Sequence, residues 1–254
     1  MTERAAVVGL GDLGLAIASR LVECGVHAIG VDVSPERRAI WRERSGRDAL
    51  AEVSQLDPGR VFVCVRMTEQ AAEVLTELPG GVAYVVTTLE PGFARRLGGR
   101  AGLRVVELPV SGGRGAAERG ELTVLAGGDQ VQPDDLDFLH RTLARHVFTF
   151  PHYGDATLAK LLNNTIGAFN AYAFASCLEL AAAAGLDAST CAEVVRASSG
   201  ASWMAEHFAE LVDDLLVKDA GLFAAAVGRL PELDLDTRDK VLAALARARI
   251  RLSP

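Results

Sequence analysis

The sequence predicts an α/β fold over about its first 150 residues and an all-helical fold over the rest. Short β-branched runs alternate with helical stretches in the first part, and prolines fall where three of the helices should begin. After Gly154 the strand pattern disappears and the chain becomes rich in alanine. Apolar strands that alternate with helices indicate a parallel sheet covered on both faces. We therefore predict two domains, residues 1–153 and 154–254.

The elements of the first domain follow from runs of apolar residues and from helix-starting prolines. The predicted strands are Ala5–Leu10, Val26–Val33, Arg60–Val65, Val82–Thr87, Leu103–Leu108, Leu122–Ala126 and Val147–Phe150. The predicted helices are Leu13–Cys24, Pro35–Arg44, Glu69–Glu77, Pro91–Leu97 and Pro133–Ala144. We expect the last two strands to pair antiparallel at an edge of the sheet.

The second domain is predicted to contain only helices. They are Asp155–Ala184, Ala188–Ala197, Ser202–Leu216, Asp219–Val227 and Thr237–Ile250. The first would be about 45 Å long at 1.5 Å per residue. It contains few charged residues, so nearly all of its sides must be covered. A domain of this size is too small to cover it alone, and we predict a homodimer or higher homo-oligomer formed through the helical domain.

Composition excludes several classes of protein. The chain has 254 residues, 50% of them hydrophobic and 23% charged, which is typical of a globular protein. A net charge of -7 excludes a general basic field for nucleic acid. Four isolated cysteines give no metal or disulfide pattern, and we expect them to be buried and reduced. Asparagines interrupt the longest uncharged run, Leu161–Leu178, so we predict no membrane span. The first residues lack the pattern of a signal peptide, and the expected location is cytoplasmic.

A glycine-rich segment follows the first predicted strand, with the spacing G-x-G-x-x-G. Gly9 permits a tight turn, Gly11 lets the backbone approach a pyrophosphate, and Gly14 lets the next helix pack on the strand. The N-terminus of that helix would donate N–H groups to phosphate. This pattern predicts a Rossmann-type dinucleotide-binding domain. The predicted cofactor-binding residues of the turn are Gly9, Leu10, Gly11, Asp12, Leu13 and Gly14.

An acidic residue lies where such domains bind the ribose of adenosine. Asp32 ends the second predicted strand, 18 residues beyond Gly14. A carboxylate there hydrogen-bonds the ribose diol and repels a 2′-phosphate, so the predicted cofactor is NAD, with NADP as an alternative. Arg37 and Arg38 follow closely and would weaken this preference if they faced the cofactor instead of solvent. An ordinary strand–helix turn with a surface aspartate would give the same pattern.

Two further loops follow strands of the predicted sheet. Residues Val65, Arg66 and Met67 follow the third strand and Thr88 follows the fourth. Ligands bind at the carboxyl ends of strands in open α/β sheets, so we predict that these residues contact the cofactor. A helix-capping or turn hydroxyl is an equal alternative for Thr88.

A second glycine-rich segment, Ser111-Gly112-Gly113, follows the fifth strand. Consecutive N–H groups beside a serine hydroxyl form a concave donor site that suits a carboxylate. The spacing is equally consistent with a flexible structural turn.

The long predicted helix has a lysine near its start, in otherwise uncharged surroundings. Lys160 and Asn164 are four residues apart, so they share one helix face. Desolvation and a nearby positive nicotinamide would lower the pKa of this lysine, as a general base near neutrality requires. The alternative is a lysine whose amine extends to the surface.

Four segments in consistent order support one family. These are Gly-Leu-Gly-Asp-Leu-Gly at residues 9–14, Glu-Leu-Pro-Val-Ser-Gly-Gly at 107–113, Ala-Lys-Leu-Leu-Asn-Asn at 159–164 and Val-Lys-Asp at 217–219. They resemble the cofactor-binding, substrate-binding, catalytic and late Lys-Asp sequences of the β-hydroxyacid dehydrogenases. That family includes 3-hydroxyisobutyrate dehydrogenase and tartronate semialdehyde reductase, with 6-phosphogluconate dehydrogenase more distant. Thr88 is similar to the family's threonine near the nicotinamide ribose.

The resemblance implies an NAD(P)-dependent oxidoreductase that interconverts a small β-hydroxy acid and its keto or semialdehyde form. Ser111, Gly112 and Gly113 would bind the carboxylate of the substrate. Lys160 would be the general acid–base, assisted by Asn164 and Ser111 as the other catalytic residues. Lys218 would help to close the site over the cofactor.

The chain also departs from the family pattern. Glu107 is longer than the usual acid at its position, Ala116 replaces a glycine, and only Gly154 remains of several glycines before Lys160. The C-terminal helical region is shortened. Two alternatives therefore stay open. One is an enzyme like the imine reductases, which usually lack a lysine at this position and use NADPH. The other is a non-catalytic, dimeric NAD-binding protein.

Overall fold

The computed structural model describes residues 3–57, 59–211 and 213–230, together with Leu242 and Leu245. The strands in these residues are β1 (Arg4–Val8), β2 (His27–Val31), β3 (Gly59–Val63), β4 (Gly81–Val85), β5 (Leu103–Glu107), β6 (Val110–Ser111), β7 (Leu122–Gly127) and β8 (Ala144–Phe150). The helices are α1 (Asp12–Glu23), α2 (Pro35–Ser45), α3 (Thr68–Glu77), α4 (Pro91–Ala94), α5 (Gly113–Arg119), α6 (Pro133–Thr142), α7 (Asp155–Ala183), α8 (Ala188–Arg196), α9 (Trp203–Glu206) and α10 (Asp213–Val227). Short 3-10 turns lie at Val53–Gln55 and Phe208–Glu210. The predicted fold, an α/β domain followed by helices, is confirmed.

The strands form one mixed sheet in the order β2-β1-β3-β4-β5-β7-β6, with β8 paired to β7. Strands β1 to β5 are parallel to one another, and β7 is antiparallel to β5 and β6. The chain builds outward from β1 in both directions, which places a crevice at the carboxyl end of this strand.

The predicted antiparallel pairing of the last two strands of the domain is wrong. β7 and β8 are parallel, because α6 lies between them in the chain and returns it to the same end of the sheet. Parallel neighbours require such a crossover, whereas an antiparallel pair needs only a short turn. The antiparallel neighbours of β7 are β5 and the two-residue strand β6, which the sequence analysis did not predict.

Alternate residues of the central strands enter two separate cores, one on each face of the sheet. Val7, Phe62 and Tyr84 pack on one face with α1, α2, α5 and α6. Val8, Val63 and Val85 pack on the other face with α3 and α4. These strands therefore have apolar side chains on both faces, as the sequence pattern predicted.

A buried ionic network joins β4, β5 and α6 in the first core. Asp135 is 1% exposed and accepts hydrogen bonds from Tyr84, from Arg104 and from the N–H of Gln132 at 2.8 Å. Burial alone would raise the pKa of Asp135, but the hydrogen bonds from Arg104 and Tyr84 hold this pKa below its usual value. This carboxylate therefore stabilises the start of α6 in its ionised form.

The helical region begins with α7, whose predicted bounds are confirmed to within one residue. The helix predicted at Ser202–Leu216 is wrong, because the short helix Trp203–Glu206 and the 3-10 turn Phe208–Glu210 are followed by Leu211, whose backbone is extended. The next helix, α10, starts at Asp213 instead of the predicted Asp219. The predicted helix Thr237–Ile250 lies outside the described residues except for Leu242 and Leu245, which are helical.

Two further expectations bear on burial. Among the described helices, only α7 is long and apolar enough to cross a membrane. Core helices of soluble proteins also pass this test of length and composition. All four cysteines are free thiols, but Cys24, Cys64 and Cys191 are only half-buried and Cys177 is exposed, so the expectation that they are buried is wrong in the single chain. The domain boundary predicted between residues 153 and 154 stays a prediction.

Candidate active site

A cavity of about 1250 Å³ lies between the carboxyl ends of β1 to β4 and the helices α7 and α10. It brings together most of the residues predicted from the sequence. Those that line it are Gly9, Gly11, Asp12, Leu13, Gly14, Asp32, Val65, Arg66, Thr88, Gly113, Lys160, Asn164 and Lys218. One continuous space therefore joins the glycine-rich turn to the start of the long helix.

The glycine-rich turn is built by close contacts that only glycine permits. Gly9 has a left-handed backbone, and a Cβ on it would lie 2.6 Å from the carbonyl oxygen of Cys64. A Cβ on Gly14 would lie 1.9 Å from the carbonyl oxygen of Gly9, so α1 packs directly on the turn. At Gly11, by contrast, a Cβ would meet no atom of the described residues within 4 Å.

These features fit the pyrophosphate of a dinucleotide. Gly11 is the N-cap of α1, and no side chain in the described residues caps this helix start. The first N–H groups of a helix attract anions, and a bare glycine lets a phosphate approach them closely.

Asp32 holds two turns together at the part of the cavity that lies beyond β2. Its Oδ2 accepts the N–H of Leu10 at 2.7 Å and its Oδ1 accepts the N–H of Ser34 at 2.8 Å. Each carboxylate oxygen has a second lone pair with which to accept a ribose hydroxyl. Arg38 donates to the backbone carbonyls of Asp32 and Val33, so it is engaged in the turn itself, whereas Arg37 lines the cavity and pairs with Asp12 at 3.5 Å.

The predicted general base is a partly buried lysine in the wall of the cavity. Lys160 Nζ donates to Ser111 Oγ at 2.9 Å. Burial lowers the pKa of Lys160 from its ordinary value to about 8, and the negative charge of Asp219 opposes this fall. The amine is therefore partly neutral near physiological pH, which a proton acceptor requires.

Asn164 is held by a carboxylate that the sequence analysis did not assign to the site. Asn164 Nδ2 donates to Asp219 Oδ2 at 2.6 Å, and Asp219 is only 7% exposed. The neighbouring Lys218 is exposed and lines the cavity. The Val-Lys-Asp segment at 217–219, already noted for its resemblance to the family, was the sequence feature that could have identified Asp219.

Four predicted residues do not line the cavity directly. The side chain of Leu10 is buried in the core, and Met67 is the 46% exposed N-cap of α3. Gly112 is the N-cap of α5, and Ser111 reaches the site through its contact with Lys160. Thr88 does line the cavity, and since Glu90 is the N-cap of α4, Thr88 does not cap that helix.

The cavity also includes residues that the sequence analysis missed. They include Ser34, Ala51, Glu52, Val53, Gln70, Glu73, Val74 and Glu77. Several lie on polar helix faces, which are indistinguishable in sequence from ordinary solvated faces.

Comparison with known proteins places this site in a family. Residues 4–150 match the family model described as the NAD binding domain of 6-phosphogluconate dehydrogenase, and residues 154–229 match that described as the NAD-binding of NADP-dependent 3-hydroxyisobutyrate dehydrogenase. The chain is 28% identical over 215 residues to an NAD-dependent L-serine dehydrogenase of Pseudomonas aeruginosa, covering 80% of this chain and 72% of the relative. It is 24% identical over 245 residues to an L-threonate dehydrogenase of Cupriavidus necator, covering 87% and 82%.

A solved structure agrees with the sequence relatives. The crystal structure of a 3-hydroxyisobutyrate dehydrogenase from Salmonella typhimurium superposes with a TM-score of 0.77 at 25% identity, covering 91% of this chain and 90% of that one. The fold and the site define an NAD(P)-dependent oxidoreductase of CH–OH groups. The first family model spans more than half of the chain, and the chain belongs to the β-hydroxyacid dehydrogenase family.

Two glycines of the turn should separate cofactor binding from folding. Gly11→Ala should fold with a stability within about 1 kcal/mol of wild type but bind NADH about tenfold more weakly, a loss of about 1.4 kcal/mol, because its methyl group occupies the space for the pyrophosphate. Gly14→Ala should lose about 3 kcal/mol of stability through overpacking. Titration calorimetry and chemical denaturation measure the two effects. Wild-type NADH affinity in Gly11→Ala would contradict this placement of the cofactor.

Proposed function

We propose that this chain interconverts a small β-hydroxy acid and its keto or semialdehyde form, with Lys160 as the general acid–base. The observation that carries the proposal is the placement of the Lys160 amine. It contacts Ser111 in the wall of a dinucleotide-sized cavity, and its pKa is lowered to about 8.

The segment after β5 is suited to a carboxylate. Gly112 and Gly113 have consecutive left-handed backbones, with φ of +115° and +63°. Because glycine has no Cβ, the backbone of these two residues lets a carboxylate approach their N–H groups closely. Ser111 adds a hydroxyl that is already paired with Lys160, so a substrate bound here would place its hydroxyl beside the amine.

The side chains of the site then divide the work. Bound NAD supplies the hydride acceptor. Lys160 takes the proton of the substrate hydroxyl in oxidation and returns it in reduction. Asp219 fixes the amide of Asn164, whose second N–H would donate to the same substrate oxygen. Lys218 would interact with the cofactor from the exposed side of the cavity.

Charge and the names of the relatives support the choice of substrate and cofactor. The two curated relatives described above are named for L-serine and L-threonate, both small hydroxy acids. Asp32 favours NAD by repelling a 2′-phosphate, with NADP as the alternative. Absorbance of reduced nicotinamide across a panel of hydroxy acids and semialdehydes, with each cofactor, tests this assignment. Reduction of a cyclic imine without any activity on the acids would favour the imine reductase alternative.

We also propose a homo-oligomer that covers α7. The helix exposes large apolar side chains in the single chain, among them Ile166 (53%), Tyr172 (73%) and Leu180 (71%). Burying such a surface against a second copy is favourable because it removes apolar area from water. Analytical ultracentrifugation should give at least a dimer, and a monomer at micromolar concentration would contradict this. A cytoplasmic location stays a prediction.

Removing the amine should abolish turnover without affecting the cofactor. Lys160→Ala should lower kcat by about 10²–10⁴, the usual contribution of general acid–base catalysis. NADH affinity should stay unchanged, as calorimetry can verify. A variant that keeps the wild-type kcat would remove Lys160 from the chemistry.

The charge of Asp219 should set the pH at which the enzyme becomes active. In oxidation the base must be neutral, so kcat/KM should rise with pH through the pKa of Lys160, near 8. Asp219→Asn retains an acceptor oxygen for Asn164 but removes the charge that raises the pKa of Lys160. The acidic limb of the profile should therefore move to lower pH. The control is Glu121→Gln, which removes a carboxylate from an exposed ion pair with Arg119. This variant should leave the acidic limb of the profile in place. An unmoved limb in Asp219→Asn would contradict the assignment.

A further inference from the structure

The first turn of α7 lacks the local cap that helices usually have. The helix begins after Gly154, which has no side chain and a left-handed backbone with φ of +90°. The first N–H groups of a helix have no partners within the helix, and a polar side chain at the N-cap normally accepts one of them. These groups are buried here, because Gly154 and Thr157 are both buried.

A carboxylate from another element supplies the acceptors. Glu107 is the last residue of β5 and is 0% exposed. Its Oε2 accepts the N–H of Gly154 at 2.7 Å and its Oε1 accepts the N–H of Thr157 at 2.6 Å. These are the two amides that a local capping box satisfies, and the negative charge lies at the positive end of the helix dipole.

The surroundings are shaped to this carboxylate. Gly127 on the neighbouring strand β7 is paired with Glu107. A Cβ on Gly127 would lie 2.7 Å from Glu107 Oε2 and 2.8 Å from the Cβ of Ala156. The hydroxyl of Tyr153, just before the helix, donates to the carbonyl of Val105 at 2.8 Å. Burial raises the pKa of Glu107, while the hydrogen bonds from Thr157 and Gly154 oppose that rise.

Two contacts therefore join residues 107–111 to the start of α7. One is the Glu107 cap, and the other is the hydrogen bond between Lys160 and Ser111. Lys160 is three residues after Thr157, so the cap acts one turn before the amine. We propose that Glu107 is a positioning residue. It fixes the position of α7 along its axis and its rotation about that axis relative to Ser111, and so determines where the Lys160 amine meets the substrate. This inference rests on the proposed role of Lys160.

The test is Glu107→Gln, which keeps the size of the side chain but offers one acceptor oxygen instead of two. Displacement of a reacting group by a fraction of an ångström is costly, so kcat for oxidation should fall about tenfold. The KM for NAD should stay within about twofold, because the glycine-rich turn is untouched. The acidic limb of the pH profile should move to higher pH, because a displaced Lys160 is more hydrated. Asp219, the charged group that faces Lys160 from α10, is present in both the wild type and Glu107→Gln, so it does not cause the difference between their pH profiles.

A matched control separates positioning from stability. Asp135 is also a buried carboxylate that accepts an N–H at a helix start, but it does not line the described cavity. Asp135→Asn should lower the melting temperature while leaving kcat and the acidic limb of the pH profile of the remaining folded protein unchanged.

Competitive acetylation of Lys160, read by mass spectrometry, measures the pKa of this lysine without turnover. The only other lysine side chains that compete for the reagent are Lys218 and Lys240.

Each outcome decides the inference. Wild-type kcat, pH limb and Lys160 labelling in Glu107→Gln would overturn it. If that variant does not fold, Gly127→Ala, whose methyl group would press on the carboxylate, should give the same upward shift, and a wild-type profile would overturn the inference. If Lys160→Ala keeps turnover, the proposed function fails instead, and the labelling pKa of Lys160 still tests the positioning role.

Discussion

The docking of the first turns of α7 against the carboxyl end of β5 is the constraint on which the site depends. The predicted dinucleotide site lies at the carboxyl ends of the strands, whereas the amine lies on a 29-residue helix that begins only after the sheet is complete. Glu107 joins the two by accepting backbone N–H groups of the helix start. This contact lies one turn before Lys160, so it helps to set the separation between the Lys160 amine and the Ser111 hydroxyl.

The electrostatics of the site follow from the same packing. Partial burial lowers the pKa of Lys160, and one carboxylate, Asp219, limits that fall. Asp219 also binds Asn164, so α10 influences both the charge and the geometry of the residues on α7. A fully exposed lysine would stay protonated near neutrality, and a fully buried one without a partner would be costly to charge. The chain places Lys160 between these limits.

The fold shows where sequence patterns carry information. Strands buried on both faces produce continuous apolar runs, so β1 to β5 were identified with only small errors at their ends. The direction of β7 was not encoded locally, since the same apolar run serves a parallel or an antiparallel neighbour. The break at Leu211 was also missed, because the helical pattern of residues 202–216 continues through a segment where the backbone is extended.

The sequence by itself determined the glycine-rich turn, Asp32, the Ser-Gly-Gly segment and the pair of Lys160 and Asn164, because each is a short pattern whose chemistry depends on spacing. Only the tertiary structure decided that Asp219 binds Asn164 and that Glu107 caps α7. Their partners lie 55 and about 50 residues away in the chain. Nothing in local spacing distinguishes a buried acid that meets a distant helix from one that meets solvent, because burial is a property of the packed elements.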